Sequence, residues 1–145
     1  MKLDVKLEIE PYQGIVGVKF GMSRGQVRHA LNSSVQAFKK LPTDELDTDA
    51  FDDLGMHVHY KHPDVCEAIE LFTPANPTIQ GQVLMGKPFS EMREWFLSVD
   101  PQIEIDDTGL TSFQLGIGLY VPFASQILED FVAGVIVFER GYYDI

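Results

Sequence analysis

Apolar and charged side chains alternate without a break at the start of the chain, where Leu3, Val5, Leu7 and Ile9 interleave with Lys2, Asp4, Lys6, Glu8 and Glu10. A period of two puts successive side chains on opposite faces of an extended backbone, so this run predicts a half-buried strand. Its charges predict an outer position in a sheet, because a charged edge resists pairing with other chains. The period then changes. Ser23 with Gln26 three residues on is a helix-start signature, Met22 is placed to staple against Val27, and Val27, Ala30 and Leu31 make an apolar stripe at helical spacing. Pro88 suits the first position of a second helix with the stripe Met92, Trp95, Phe96 and Val99. Both helices run into acidic, turn-rich connections.

Later segments return to the strand pattern. Leu54, Met56, Val58 and Tyr60 alternate with Gly55, His57, His59 and Lys61, which predicts a strand with one wet face, and residues 115–121 repeat the arrangement. Residues 65–72 and 131–138 are apolar and β-branched, as central strands are. Thr73-Pro74-Ala75-Asn76-Pro77 is a short, stiff connector. Three blocks recur in one order. Val18-Lys19-Phe20-Gly21 lies over Val83-Leu84-Met85-Gly86, Leu54-Gly55-Met56-His57-Val58 over Leu115-Gly116-Ile117-Gly118-Leu119, and Ala68-Ile69-Glu70-Leu71-Phe72 over Gly134-Val135-Ile136-Val137-Phe138, at offsets of 65, 61 and 66 positions. A repeated order of this kind predicts an internal duplication. The expected architecture is α+β: one domain over residues 1–145, with pseudo-repeats at about 11–74 and 78–145. Each repeat is a helix followed by antiparallel strands, and the two together form one sheet with the helices packed on it.

Length and composition agree with this picture. A chain of 145 residues with 45% apolar side chains can bury a self-sufficient core. No stretch reaches the run of about 18 apolar residues that spans a bilayer, and the first residues lack the continuous apolar segment of a secretory signal. With Cys66 alone no internal disulfide forms, so a reducing, cytoplasmic compartment is expected.

Charge narrows the partners. Twenty-two acidic against eleven basic side chains give a net charge of −11, which argues against nucleic acid and anionic membranes and leaves a basic protein, a metal or water alone as counterparts, with a basic protein the expected partner. Asp44, Glu45, Asp47, Asp49, Asp52 and Asp53 crowd ten residues that hold no Lys or Arg, and Asp100, Glu104, Asp106 and Asp107 make a second cluster. Neither follows the calcium-loop pattern.

The remaining chemistry is sparse. His57 and His59 fall on one face of a strand, near His62, Asp64 and Cys66, all residue types that bind zinc. Pro63 interrupts the strand before that set is complete, and the expectation is no metal and no cofactor. Cys66 lies between Val65 and Glu67 in an apolar strand, where a small buried side chain is the ordinary role rather than a nucleophile. Gly14, Gly17 and Gly21 match neither a dinucleotide nor a phosphate loop, and Gly21 and Gly86 are expected to shape turns into the helices.

The unit of Gly21-Met22-Ser23 opening a helix, with Val27-Arg28 inside it and strands after it, resembles the repeat of small bacterial binding domains of the β-lactamase-inhibitor-protein and outer-membrane-assembly-lipoprotein type. That resemblance implies a helical segment followed by an antiparallel sheet, present twice. The chain lacks the lipid-attachment Cys and the disulfide cysteines of those proteins. In size, acidity and cysteine poverty it also resembles the immunity proteins of bacterial contact-dependent and polymorphic toxin systems. This implies a non-catalytic inhibitor that occludes the active site of a basic toxin domain, with Asp44, Glu45, Asp47, Asp49, Asp52 and Asp53 as protein-binding residues. An orphan regulatory or ligand-binding domain is the alternative, and a metal-dependent enzyme built on His57 and His59 is a further one.

Overall fold

The computed structural model describes residues 6–124, 126 and 130–143. Leu3, Val5 and the charges between them lie outside the described residues. The first described strand, β1 (Lys6–Glu10), alternates as expected, burying Leu7 and Ile9. It does not lie at an edge. It pairs antiparallel with β2 (Gly14–Ile15) and parallel with β8 (Asn76–Ile79), the strand that follows the cis Thr73–Pro74 bond. With β3 (Val18–Lys19) and β9 (Gln82–Val83) these strands form a five-stranded sheet, ordered β3-β2-β1-β8-β9. Asn76 and Pro77 are therefore strand residues rather than connector. Glu8 and Glu10 find partners instead of repelling a neighbour: Glu8 accepts hydrogen bonds from the Thr78 hydroxyl and Gln80 N–H, and Glu10 pairs with Lys19.

Helix α1 (Arg24–Leu31) starts at the expected capping box, in which Ser23 accepts the Gln26 N–H and the Gln26 side chain accepts the Ser23 N–H. It ends on Asn32 in the left-handed region. Val27 and Leu31 are buried, but Ala30 faces solvent, so the stripe is narrower than its spacing suggests. Helix α2 (Phe89–Val99) buries Phe89, Met92 and Phe96, and Pro88 is its extended cap rather than its first turn.

A four-stranded meander follows each helix. After α1 come β4 (Gln36–Phe38), β5 (Thr48–Phe51), β6 (Met56–Lys61) and β7 (Val65–Leu71). After α2 come β10 (Glu104–Asp106), β11 (Gly109–Ser112), β12 (Ile117–Tyr120) and β13 (Gly134–Phe138). Strands β4, β5, β10 and β11 lie where the sequence predicts connections, and of these only β5 and β10 carry acids. The last strands of the two meanders pair, Val135 with Leu71 through Phe138 with Ala68, giving an eight-stranded antiparallel sheet ordered β10-β11-β12-β13-β7-β6-β5-β4. Among the described residues there are thus two sheets, not the single one expected, because the strands ahead of the helices pair with each other.

The backbone makes the same contacts at both helix entrances. Gly21 and Met22 exchange hydrogen bonds with Cys66, as Gly86 and Lys87 do with Val132, and the N–H groups of Arg24 and Phe89 donate to Asp64 and Asp130. Gly21 and Gly86 both take positive φ at these turns, as expected. Gly55 and Gly116 are a second such pair: each has positive φ and accepts at its carbonyl the N–H of Phe72 or Phe138.

Registry sorts the sheet into two faces. The row Leu110–Leu119–Val135–Leu71–Met56–Phe51 is buried across six strands, and it meets Val27, Leu31, Met92, Phe96 and the small-sheet residues Leu7, Ile9, Ile15 and Val18 in one core. Each such side chain contributes roughly 1.5–3 kcal/mol by leaving water. The opposite face carries Thr111, Gly118, Ile136, Glu70, His57 and Ala50 in one row.

Glycine positions offer a test with opposite signs. A Cβ on Gly55 would lie 2.1 Å from the Phe72 carbonyl at a φ of +67°, whereas one on Gly25, in α1, meets nothing within 4 Å. Urea denaturation is expected to show Gly55→Ala destabilising by about 2–3 kcal/mol and Gly25→Ala stabilising by up to roughly 1 kcal/mol.

Candidate functional site

Of the six acids proposed to face a partner, Asp49 does not reach the surface. It stands on β5 opposite Val58, on the core side of the sheet, with its side chain fully buried. An aspartate is stable there because α1 brings two guanidinium groups to it: Arg24 Nη1 at 2.8 Å, and Arg28 through Nε at 2.9 Å and Nη2 at 2.7 Å. The Tyr60 hydroxyl donates to it at 3.0 Å, and Arg24 also binds Asp64 and lies 4.0 Å from the centre of the Tyr60 ring. Burial disfavours the Asp49 carboxylate, but the Arg28 and Tyr60 hydrogen bonds and the nearby Arg24 charge outweigh it, holding its proton affinity below the usual carboxylate range. This cluster fastens α1 to β5 and β6, and Asp49 is withdrawn from the binding set.

The other five acids lie in the β4–β5 loop or the turn after β5. Asp44 accepts the Leu41 N–H, Asp47 pairs with Lys39 at 3.3 Å, and Glu45 meets His62 at 2.5 Å. Asp52 lies 3.5 Å from His57, and Asp53 accepts the Ser34 hydroxyl. Among the described residues, only Asp47 of these five meets a Lys or Arg, and the histidines beside Glu45 and Asp52 are cationic only when protonated. The second cluster differs. Asp100 is buried at the end of α2, accepting Ser112 Oγ at 2.7 Å and the Gln102 N–H at 3.0 Å. Glu104, Asp106 and Asp107 are exposed on β10 and the turn after it, and among the described residues they form no ion pair.

The histidines share a face but not a centre. His57 packs edge-on between Phe38 and Phe72, at 5.3 and 4.8 Å between ring centres. His59 belongs to a cross-strand chain over β5, β6 and β7: Thr48 Oγ1 lies 3.1 Å from its Nδ1 and Glu70 Oε1 2.5 Å from its Nε2. Among the described residues no three His, Cys, Asp or Glu side chains gather where they could hold a metal ion. The order hydroxyl–imidazole–carboxylate is that of a nucleophile, base and orienter, but Thr48 and His59 are only 4% and 7% exposed. A hydroxyl so covered does not reach a substrate carbonyl, and the chain acts as a polar ladder tying three strands.

The hydrogen bond from His59, opposed by burial and helped by Lys40 at 2.9 Å, holds the Glu70 carboxyl down at about 2. Cys66 is buried among core side chains, and burial together with the Glu139 charge pushes its thiol up to about 12.

One concave feature was not legible in the pattern of charges. It is a groove of about 490 Å³ on the outer face of the eight-stranded sheet, over the joint between β13 and β7. Its floor has little side chain, with Gly118 and Gly134 in strands; Tyr120, 54% exposed, stands between Gly109 and Gly134, and Glu70, Lys40 and Asp106 stand at its margins. Beside the groove the C-terminal turn covers Phe138. Tyr142 stacks on Phe138 at 6.0 Å and Tyr143 meets it edge-on at 4.9 Å, so Tyr142 packs while Tyr143 stays half exposed. The signal for the groove was Gly-x-Tyr in β12 followed by Gly134 opening β13, which has no meaning until registry brings the strands together.

An α+β protein of two sheets with an open groove on the larger one is the class that these features define. The fold is similar to that in the crystal structure of the uncharacterized protein yfeY from Escherichia coli, with a TM-score of 0.59 and 12% identity over 93% of this chain and all of that one. No protein-family model and no curated protein sequence matches the chain. No helix among the described residues is long and apolar enough to cross a membrane.

Three outcomes check the site chemistry. Asp49→Asn leaves the Arg28 guanidinium without its counter-charge and Arg24 with Asp64 alone, and is expected to cost about 3–5 kcal/mol in denaturant titration. Glu70 has a depressed folded-state proton affinity, so its stabilisation is present above its ordinary range of about pH 4 and is lost as pH falls toward about 2, and Asp49, lowered as well, acts in the same direction. Glu70→Gln should accordingly flatten the acid limb of the stability–pH curve. Iodoacetamide should label native Cys66 roughly a thousandfold more slowly than the urea-unfolded chain, because so little thiolate forms at neutral pH.

Proposed function

We propose that this chain is a non-catalytic, cytoplasmic binding protein of the immunity type, neutralising a basic bacterial toxin domain by covering its active site. The observation that carries the reading is the open face of the eight-stranded sheet, flanked by the acidic β4–β5 loop at one end and by Glu104, Asp106 and Asp107 at the other. A face with acids at both ends attracts a basic partner from a distance, and a concave, partly aromatic centre supplies contact area. Asp44, Glu45, Asp47, Asp52 and Asp53 act here as steering and rim residues.

The layout behind this reading is a tandem one, with one helix and one meander in each half. The matched hydrogen bonds of Gly21 and Met22 with Cys66 and of Gly86 and Lys87 with Val132, and the matched Gly55 and Gly116 turns, support it. In that layout the groove lies over the joint, and this position also favours a second reading, an orphan regulatory domain that holds a small ligand between its halves.

Tagged protein incubated with lysate of the source bacterium at low and high salt, with mass spectrometry of what is retained, tests the proposal. The expected result is one stoichiometric basic protein whose enzymatic activity falls to zero at one-to-one titration. Retention of nothing basic, or a partner still active at saturation, overturns it. With that partner in hand, neutralising Asp44, Glu45, Asp52 and Asp53 together should slow association roughly tenfold at low salt and flatten its salt dependence.

A further inference from the structure

The ladder between β6 and β7 is irregular at one place. His59 pairs with Ala68, and the next residue of β6, Tyr60, pairs with Cys66, so β7 uses two residues where β6 uses one and Glu67 is the extra residue of a bulge. Bulges re-aim the side chain they carry and gather beside binding sites. Glu67 is half-buried, and among the described residues its carboxyl makes no hydrogen bond or ion pair. Burial and the Glu139 charge raise its proton affinity, with Lys61 and His59 opposing them. A covered carboxylate in this state lacks a cation.

Glu67 lines a second cleft, of about 470 Å³. The β4–β5 loop bounds it through Leu41, Asp44, Glu45 and Leu46, and the C-terminal turn bounds it through Tyr142. Both lysines of the cleft are engaged, Lys40 with Glu70 at 2.9 Å and Lys61 with Glu139 at 2.6 Å. Asp44, Glu45 and Glu67 therefore leave the space net negative. Burial and then Tyr143, Glu67, Glu70 and Asp44 push the Tyr142 hydroxyl up to about 12. Carboxylates from β7 and from the loop act on the same phenol, which sets them around one space.

We infer that this cleft receives a lysine side chain from the surface of the basic protein partner, its ammonium bonded to Glu67 and its stem lying between the β4–β5 loop and Tyr142. The inference rests on the inhibitor reading for the identity of the partner, and on charge complementarity for the occupant. A long methylene stem packs against Leu41, Leu46 and the phenol ring while its compact ammonium reaches a carboxylate set back from the surface. The ammonium takes the place of the proton that Glu67 otherwise holds more readily than an exposed glutamate.

The test uses a defined probe, the blocked tripeptide acetyl-Gly-Lys-Gly-amide, titrated into the full-length protein while backbone amide and side-chain carboxyl signals are followed. Shifts centred on Glu67, His59 and Tyr142 are expected, and none with the Nε-acetyllysine peptide, which keeps the stem and loses the charge. The Glu67 carboxyl should titrate at lower pH with the lysine peptide bound, because a nearby cation favours its ionised form. Glu67→Gln should weaken binding roughly tenfold. The wild-type titration requires no variant, so it decides even where the substitution disturbs the fold. Equal shifts with acetyllysine, a Glu67 titration unmoved by the peptide, or tighter binding of the arginine peptide overturns the assignment. Partner retention separates the two proposals. If Glu67→Gln retains the partner as well as wild type does, the cleft assignment falls and the inhibitor reading stands. If the lysine peptide binds the cleft but no basic partner is retained, the reverse holds.

Discussion

The pairing of β7 with β13 is the interaction on which the rest of the structure depends. Four residue pairs, from Val135–Leu71 to Phe138–Ala68, join two meanders that would otherwise each end in an unpaired strand. Both strands are apolar on the core side, and each also carries the backbone contacts that fix a glycine turn, Phe72 to Gly55 and Phe138 to Gly116. The joint therefore sets the registry of all eight strands. A slip of one residue would carry Ile69, Leu71, Val135 and Val137 out of the core and put Glu70 into it. The groove inherits its geometry from this registry, since Ile136 and Glu70, which border it, are themselves a pair across the joint.

Strands tied in register still need their helices fixed, and the two helices are held by different means. α2 relies on burial, through Phe89, Met92 and Phe96. α1 is shorter, buries only Val27 and Leu31, and adds the Arg24 and Arg28 bonds to Asp49. Charge replaces area where area is short. The arrangement binds because every member is satisfied: Asp49 accepts from two arginines and a tyrosine, and Arg24 also donates to Asp64 and the Asp47 carbonyl. Without the arginines, an aspartate on that face of β5 would favour unfolding.

That dependence explains what the sequence could and could not disclose. The α1 capping box, the apolar positions of both helices and strands β6, β7, β12 and β13 follow from local pattern, and the structure contains them. Strands β4, β5, β10 and β11 did not: Asp49, Glu104 and Asp106 read as solvated loop when their partners are unknown, and β4 and β11, of three and four residues, are too short to show a period. Arg24 and Arg28 were visible only as polar positions of a helix; their value lies in a contact more than twenty residues away along the chain. The same limit hid the second sheet, because the parallel pairing of Leu7 with Pro77 is a long-range choice that alternation does not encode.

The site was hidden for a related reason. Charge counting drew attention to Asp44–Asp53, the densest run of acids, but density along a chain is not charge available to a partner. Arg24 and Arg28 take up Asp49 and Lys39 pairs with Asp47, while His57 and His62 lie against Asp52 and Glu45 and are cationic only when protonated. Glu104, Asp106 and Asp107, fewer in number, lie on an edge strand and the turn after it, where among the described residues they meet no opposing charge. A charge already paired contributes little field beyond its partner, so the negative potential a visitor would meet comes from the acids that, among the described residues, lack a Lys or Arg partner, at Asp44, Glu45, Asp52 and Asp53 as well as at the β10 edge. The net charge of −11 thus has a direction as well as a size, set by which acids the fold has already consumed.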